Sequence, residues 1–163
     1  MPSRPSPREK NAVPHASSTD WPQRLRAAGL RNTALTLAVL RRLETSGRPC
    51  SHDELVHGLA ADVPAGKVDR VTLYRILDRL TQVELLKKIQ GSDRVSRYTL
   101  THASAPGYFE CDRCHSITAL PSDPVLDDVL ARLGRRINRS GAHSTKASLT
   151  LHGTCKNCVH PGR

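Results

Sequence analysis

The chain has 163 residues, enough for one domain or two small ones, and carries 25 Lys and Arg against 15 Asp and Glu. A net charge of +10 and a pI near 10.0 put an anionic partner first, nucleic acid ahead of an anionic membrane surface. With 37% hydrophobic and 3% aromatic residues, two small cores of Leu, Val, Ile and Ala fit better than one large one. No window approaches the ~18 apolar residues that span a bilayer, and no charged stretch followed by an apolar run opens the chain, so it reads as a soluble, cytoplasmic protein.

Residues 1–20 hold Pro2, Pro5, Pro7 and Pro14 among Ser, Arg and Lys, which predicts a disordered basic arm. From Trp21 the apolar pattern predicts two helices broken at Gly29, the second running from Thr33 to Leu43. Ser51 followed three residues later by Glu54 is a reciprocal cap for a helix carrying Leu55, Val56, Leu59 and Ala60, closed by Pro64 and Gly66. Between Asp69 and Val83, Leu73, Ile76, Leu77, Leu80 and Val83 recur at helical spacing, leaving Thr72, Arg75, Arg79 and Gln82 on the opposite face. Leu85–Gln90 and Val95–Leu100, joined by Gly91–Arg94, predict a β-hairpin. Helices followed by a hairpin make a winged helix-turn-helix over residues 21–100.

Residues 101–107 predict a hinge, and residues 108–163 a small α/β domain. Its expected strands are Tyr108–Cys111, Ile117–Leu120 and Ala147–Leu151. Its helix is capped by Asp123, starts at Pro124 and carries Leu126, Val129, Leu130, Leu133 and Ile137 on one face.

Cys111 and Cys114 form one Cys-x2-Cys pair, Cys155 and Cys158 a second. A two-residue gap lets each pair present both sulfurs from one tight turn, and two such turns close a tetrahedral zinc site with no open position. That predicts one structural Zn2+ per protomer, stapling the end of the domain to its beginning. The odd fifth cysteine, Cys50, argues against a disulfide framework, and neither pair opens a helix in a βαβ setting as a redox pair does. The Val71–Arg75 helix is the second signal: in a major groove its Arg side chains reach phosphate or guanine edges, and Thr72 and Tyr74 reach thymine methyls or backbone. Residues 67–98 support this with eight cations (Lys67, Arg70, Arg75, Arg79, Lys87, Lys88, Arg94, Arg97) against Asp69, Asp78, Glu84 and Asp93.

Taken together, Ala28–Arg31, Ser51–Leu55, Val71–Leu77, Ser96–Tyr98, the first cysteine pair and His152-Gly153-x-Cys155-x2-Cys158 resemble the ferric uptake regulator family of bacterial metal- and peroxide-responsive repressors. The resemblance spans about Leu25 to Cys158. It implies an α+β chain: an N-terminal winged helix-turn-helix, a hinge, and a C-terminal α/β dimerisation domain with a four-cysteine zinc site. It further implies a homodimer on double-stranded DNA, an AT-rich inverted repeat, usually as a repressor. Arg31, Arg70, Thr72, Tyr74 and Arg75 are the candidate DNA contacts.

The chain also departs from the family pattern. The segment that usually supplies sensory imidazoles reads Thr101 to Glu110 with Ser104, Ala105, Pro106 and Tyr108 in their places, and other usual ligand positions align with Pro49, Ser92, Ala119 and Ala147. Thr36 stands where the family has an Arg, and Glu84 and His115 stand where it has Gly. The expectation is a retained structural zinc with a lost or altered sensory site. His52, His102 and His143 are the candidates for an altered one, and the identity of any second, regulatory metal stays open. The rival reading is a zinc-stapled protein-interaction module that partners another regulator and binds DNA weakly. An enzyme is not expected: no nucleophile with a base and no phosphate-cradling glycine loop is present.

Overall fold

The computed structural model describes residues 19–60, 68–101, 105–143 and 147–159. Residues 1–18 of the expected arm, the expected helix end at Pro64 and Gly66, and part of the expected hinge, with His102, lie outside the described residues. The described residues fall into two compact units, one up to Asn32 and one from Thr33 onward.

In the first unit, α1 (Trp21–Ala27) starts where the Asp20 carboxylate accepts the Gln23 N–H at 3.0 Å. It stops at Gly29, φ +71°, with the Leu30 N–H returning to the Leu25 carbonyl at 2.8 Å. That left-handed turn is the reason the helical pattern breaks there.

The second unit opens with α2 (Ala34–Ser46), capped by Thr33 and ended by Gly47 at φ +59°. Next come β1 (Cys50–Ser51) and α3 (His52–Leu59), whose capping box forms as expected: Glu54 N–H to Ser51 Oγ at 3.2 Å, Ser51 N–H to Glu54 Oε2 at 2.7 Å. Helix α4 (Arg70–Gln82) is capped by Asp69, which accepts the Thr72 N–H at 2.7 Å. The hairpin β2 (Leu86–Gln90) and β3 (Ser96–Leu100) completes a three-stranded sheet of order β1-β3-β2. Leu40 and Leu43 of α2, Leu55 and Leu59 of α3, and Leu73, Leu77 and Leu80 of α4 are all buried. They form a winged helix-turn-helix core in which α2 packs on α3 and β3, and α4 on α3 and β2.

Helix α4 ends in the same hydrogen-bond pattern as α1, with the Leu85 N–H on the Leu80 carbonyl at 3.0 Å and the Glu84 N–H on the Thr81 carbonyl at 3.1 Å. The left-handed residue here is Glu84, φ +58°, and His115 adopts φ +54°. Both stand where the resemblance leads one to expect glycine, and both hold the left-handed conformation that glycine adopts freely, so the side chain bears its steric cost. Glu84→Gly is therefore expected to raise stability by about 1 kcal/mol and the melting temperature by about 2–4 °C, which calorimetry measures.

The remaining elements are β4 (Gly107–Cys111), β5 (Ile117–Ala119), α5 (Pro124–Arg139), β6 (Leu149–Gly153) and α6 (Lys156–Val159). The sheet order is β5-β4-β6, with β5 antiparallel and β6 parallel to β4. Strand β6 runs two residues beyond the expected Ala147–Leu151, because parallel pairing sets Gly107 opposite Leu149 and Cys111 opposite Gly153. Gly107 is needed there: a Cβ would collide with the Leu149 carbonyl oxygen. Helix α5 begins as expected, with Asp123 Oδ1 accepting the Val125 N–H at 2.8 Å, but buries no residue. Val125, Val129, Leu133 and Ile137 are 72, 44, 51 and 42% exposed, so its apolar face is open in the single chain.

Candidate zinc centre and nucleic-acid interface

Strand β4 ends on Cys111 and the turn after it carries Cys114, and the segment after β6 carries Cys155 and Cys158. Pairing of β4 with β6, extended by the Asp112 N–H to the Gly153 carbonyl at 2.7 Å, brings the two turns together. All four Sγ atoms lie within 4.8 Å of one another, and the Cys114 and Cys155 sulfurs are 3.7 Å apart. Tetrahedral Zn–S bonds of about 2.3 Å place sulfurs about 3.8 Å apart, so the donor set fits a structural zinc site.

The local backbone prepares the sulfurs for a cation. The Cys155 N–H donates to Cys111 Sγ at 3.3 Å, and backbone N–H groups of Cys114 and Cys155 hold the Cys111 thiol down at about 6. Cys114 lies 3.2 Å from the Ser116 hydroxyl, which lowers its pKa. Cys158, facing the Cys114 and Cys155 sulfurs, is pushed up to about 12. Four thiolates in this space repel one another; a divalent cation held by Cys111, Cys114, Cys155 and Cys158 would remove the conflict and favour loss of the last proton to solvent. Arg113 ties the two turns together by donating to the Cys158 carbonyl at 3.1 Å. Cys50 is not one of the four; it is buried, with its Sγ 3.4 Å from Ser46 Oγ.

Helix α4 carries the second group of expected residues. Tyr74 is 48% exposed, and Val71, Thr72 and Arg75 are exposed with it. The Thr72 hydroxyl donates to Asp69 Oδ2 at 2.5 Å, so Thr72 helps start the helix as well as lining its outer face. The Arg70 guanidinium donates to Asp53 Oδ1 at 2.6 Å, across from the first turn of α3. That contact lowers the Asp53 pKa through the hydrogen bond and the charge of Arg70. Arg31 is exposed in the first unit. Thr36, in the family's Arg position, is buried with its hydroxyl 2.8 Å from that of Thr33, which directs it to the helix cap.

Around the hairpin turn, Arg97 holds Asp93 through contacts of 3.0 and 2.7 Å, lowering the Asp93 carboxyl to about 2. Ser92 donates its N–H and its hydroxyl to Glu110 Oε1 at 2.8 and 2.6 Å, joining the wing to β4. Burial pushes the Glu110 carboxyl up, but these two donors outweigh it and leave it below the usual range. His115 Nδ1 is 3.3 Å from Ser92 Oγ.

Of the candidate sensory histidines, the two described, His52 and His143, are not brought together. His52 is buried against Tyr74 at the N-terminus of α3, and His143 is exposed beyond the end of α5. Among the described residues the four cysteines are the one cluster of three or more such ligands. Pro49 is fully buried, and Ala119 lies on β5. Sequence reasoning missed the Ser92–Glu110 and His52–Tyr74 contacts because each joins residues about twenty positions apart, with no local spacing to mark them.

Known proteins agree with this arrangement. The ferric uptake regulator family model matches residues 27–152. The chain is 30% identical over 96 residues to a ferric uptake regulation protein of Bacillus subtilis, a match covering 56% of this chain and 61% of that protein. It is 29% identical over 140 residues to the peroxide-responsive repressor PerR of Staphylococcus aureus, covering 82% of this chain and 86% of the relative. Among solved structures, the Vibrio cholerae ferric uptake regulator matches with TM-score 0.65 at 23% identity, covering 82% of this chain and 98% of that one. The Campylobacter jejuni peroxide stress regulator matches with TM-score 0.62 at 22% identity, covering 86% and 100%. A family match over most of its length, on a winged helix followed by a four-cysteine α/β sheet, shows that this chain belongs to the ferric uptake regulator family.

Proposed function

We propose that the protein is a homodimeric, sequence-specific transcriptional repressor in the cytoplasm that binds double-stranded DNA as an AT-rich inverted repeat and catalyses no reaction. The observation that carries this is the outer face of α4, where Val71, Thr72, Tyr74 and Arg75 stand exposed beside a basic hairpin. In this reading residues 21–100 bind DNA, residues 101–107 are the hinge and residues 108–163 dimerise. Tyr74 and Arg75 read base edges, Thr72 and Arg70 meet the backbone, and Arg31 adds a contact from the first unit. Dimerisation covers the open apolar face of α5 and sets the spacing of the two recognition helices. Among the described residues no helix is long and apolar enough to cross a membrane.

Regulation in this reading differs from metal sensing. Zinc is retained by Cys111, Cys114, Cys155 and Cys158, and the sensory site is lost. Ser92, at a position where the family pattern has a metal ligand, instead holds Glu110 by two hydrogen bonds. A wing tied to β4 by protein groups needs no exchangeable metal to hold it. The burial of Thr36 where the family has an Arg favours the rival reading, an interaction module with weak DNA binding.

The test is selection of duplex sites from a random library by the zinc-loaded protein, followed by titration under a mild chelator. The expected result is enrichment of an inverted repeat, bound equally with and without the chelator, with about one zinc retained per chain. A zinc-loaded dimer that enriches no site sinks the DNA reading. A second, exchangeable metal whose removal releases DNA while the dimer persists sinks the metal-independent one.

A further inference from the structure

His52 faces α4 from the first turn of α3. Its ring lies flat against Tyr74, with ring centroids 3.7 Å apart and planes at 9°. It is 5% exposed, whereas Tyr74 is 48% exposed. The His52 Nε2 lies 3.2 Å from the Arg70 carbonyl oxygen, an acceptor, so Nε2 carries the hydrogen and donates. In the neutral ring Nδ1 is then bare. It is buried without a hydrogen-bond partner, 3.7 Å from Asp53 Oδ1, the oxygen already held by the Arg70 guanidinium.

A nitrogen buried without a partner is costly, and general packing between two helices does not require one. What the imidazole supplies is a flat face and a directed N–H at the same place. The face restrains the Tyr74 ring, and the N–H pins the backbone of Arg70, one helical turn earlier on the same side of α4. Asp53, the next residue, restrains the Arg70 side chain. The start of α3 thus holds two of the candidate DNA contacts of α4 in fixed positions before any ligand arrives. A half-exposed tyrosine without such a backing face is free to change rotamer, and binding must then order it.

We propose that His52 is a positioning residue for DNA recognition: by backing the Tyr74 ring it sharpens discrimination between sequences, and contributes little to general affinity for DNA. The proposal rests on the reading of α4 as the recognition helix. It differs from a metal-ligand role for His52, because the ring nitrogens are turned to a backbone carbonyl and a carboxylate already in use.

The experiment compares full-length zinc-loaded wild type, His52→Ala, His52→Phe, Tyr74→Ala and the His52→Ala/Tyr74→Ala double variant. Each is titrated on a library-selected duplex and on a scrambled duplex of the same length at one salt concentration. His52→Ala is expected to weaken binding to the selected duplex about five- to tenfold and to leave the scrambled duplex within about twofold. His52→Phe, which keeps a flat ring, recovers most of the loss. In the Tyr74→Ala background His52→Ala adds less than about twofold, since the ring it backs is gone and only its bond to the Arg70 backbone is left to lose. Should His52→Ala unfold, His52→Leu, which fills the volume without a flat face, is expected to show the same selective loss. Equal losses on both duplexes, an undiminished effect in the Tyr74→Ala background, or unchanged affinity overturns the role of His52 while leaving the DNA reading intact. A wild-type protein that fails to discriminate the two duplexes overturns the DNA reading and this proposal with it.

Discussion

Cys155→Ser is expected to empty the zinc site: elemental analysis falls from about one zinc per chain to near zero, and specific DNA binding is lost with it. The magnitude follows from the coupling of metal binding to folding, since structural Zn2+ in four-ligand sites contributes about 10–16 kcal/mol of apparent binding free energy near neutral pH. The consequence is local first. Cys155 follows directly on β6, whose pairing to β4 is the connection between the end of the chain and the rest of the sheet. Without the staple, β6 and α6 lose their tie to the turn after β4, and the second unit no longer presents an ordered surface to a second chain. Size-exclusion chromatography with light scattering should therefore report loss of the dimer. Cys50→Ser is the control: its sulfur lies against Ser46, outside the four-sulfur cluster, and its replacement leaves zinc content unchanged.

The same site has a defined response to acid. Zinc requires thiolates, so every proton taken up by a sulfur removes a ligand, and affinity falls as pH falls. Backbone N–H groups hold Cys111 at about 6, which keeps that ligand ionised near neutrality. Cys158 stands at about 12 because of the neighbouring sulfurs, and a zinc ion held here would displace its proton to solvent. Zinc loss on acidification should be accompanied by proton uptake, and a zinc-chelating dye records both the midpoint and its steepness.

Removing the outer face of α4 should have the next largest effect. Tyr74→Ala and Arg75→Ala together are expected to weaken binding to a selected inverted repeat by about 100-fold or more, at about 1–3 kcal/mol for a good base contact in each half-site. Arg75 is exposed and Tyr74 half-exposed, so zinc content should stay near wild type and melting temperature fall by no more than a few degrees, the cost of uncovering His52. Salt dependence separates the roles. If Arg75 meets a phosphate, Arg75→Ala lowers the slope of log affinity against log salt by about 1 per contact and weakens all sequences alike. If it reads a base, the slope holds and the preference at one position relaxes. Retained affinity in the double variant would remove α4 from the interface and favour the interaction-module reading, for which the buried Thr36 is the structural argument.

How much of this was legible beforehand can be seen element by element. Ser51 with Glu54, Asp69, and Asp123 with Pro124 marked helix starts by local chemistry, and each cap forms. The spacing of Leu73, Leu77 and Leu80 marked the buried side of α4, and the two Cys-x2-Cys turns marked the zinc ligands. Strand β1 was not legible, because two residues have no periodicity of their own and become a strand only by pairing Cys50 with Tyr98 and Ser51 with Arg97. Helix α6 escaped for the same reason: it is a four-residue turn that starts just after Cys155 and contains Cys158. Glu84 and His115 looked like simple departures from a glycine pattern, and only backbone angles reveal that the left-handed turn is retained.

What the sequence by itself determined is therefore the set of interactions made within a few residues: caps, amphipathic faces, a hairpin and the paired thiols, all governed by short chemical rules. What only the tertiary structure decided is which distant groups meet. Parallel pairing of β6 with β4 closes the cysteine cluster, Ser92 finds Glu110 across the wing, His52 meets Tyr74, and the face of α5 is left open. Such contacts depend on strand register and helix packing, in which a shift of one residue turns a side chain to the other face. No single segment carries that information.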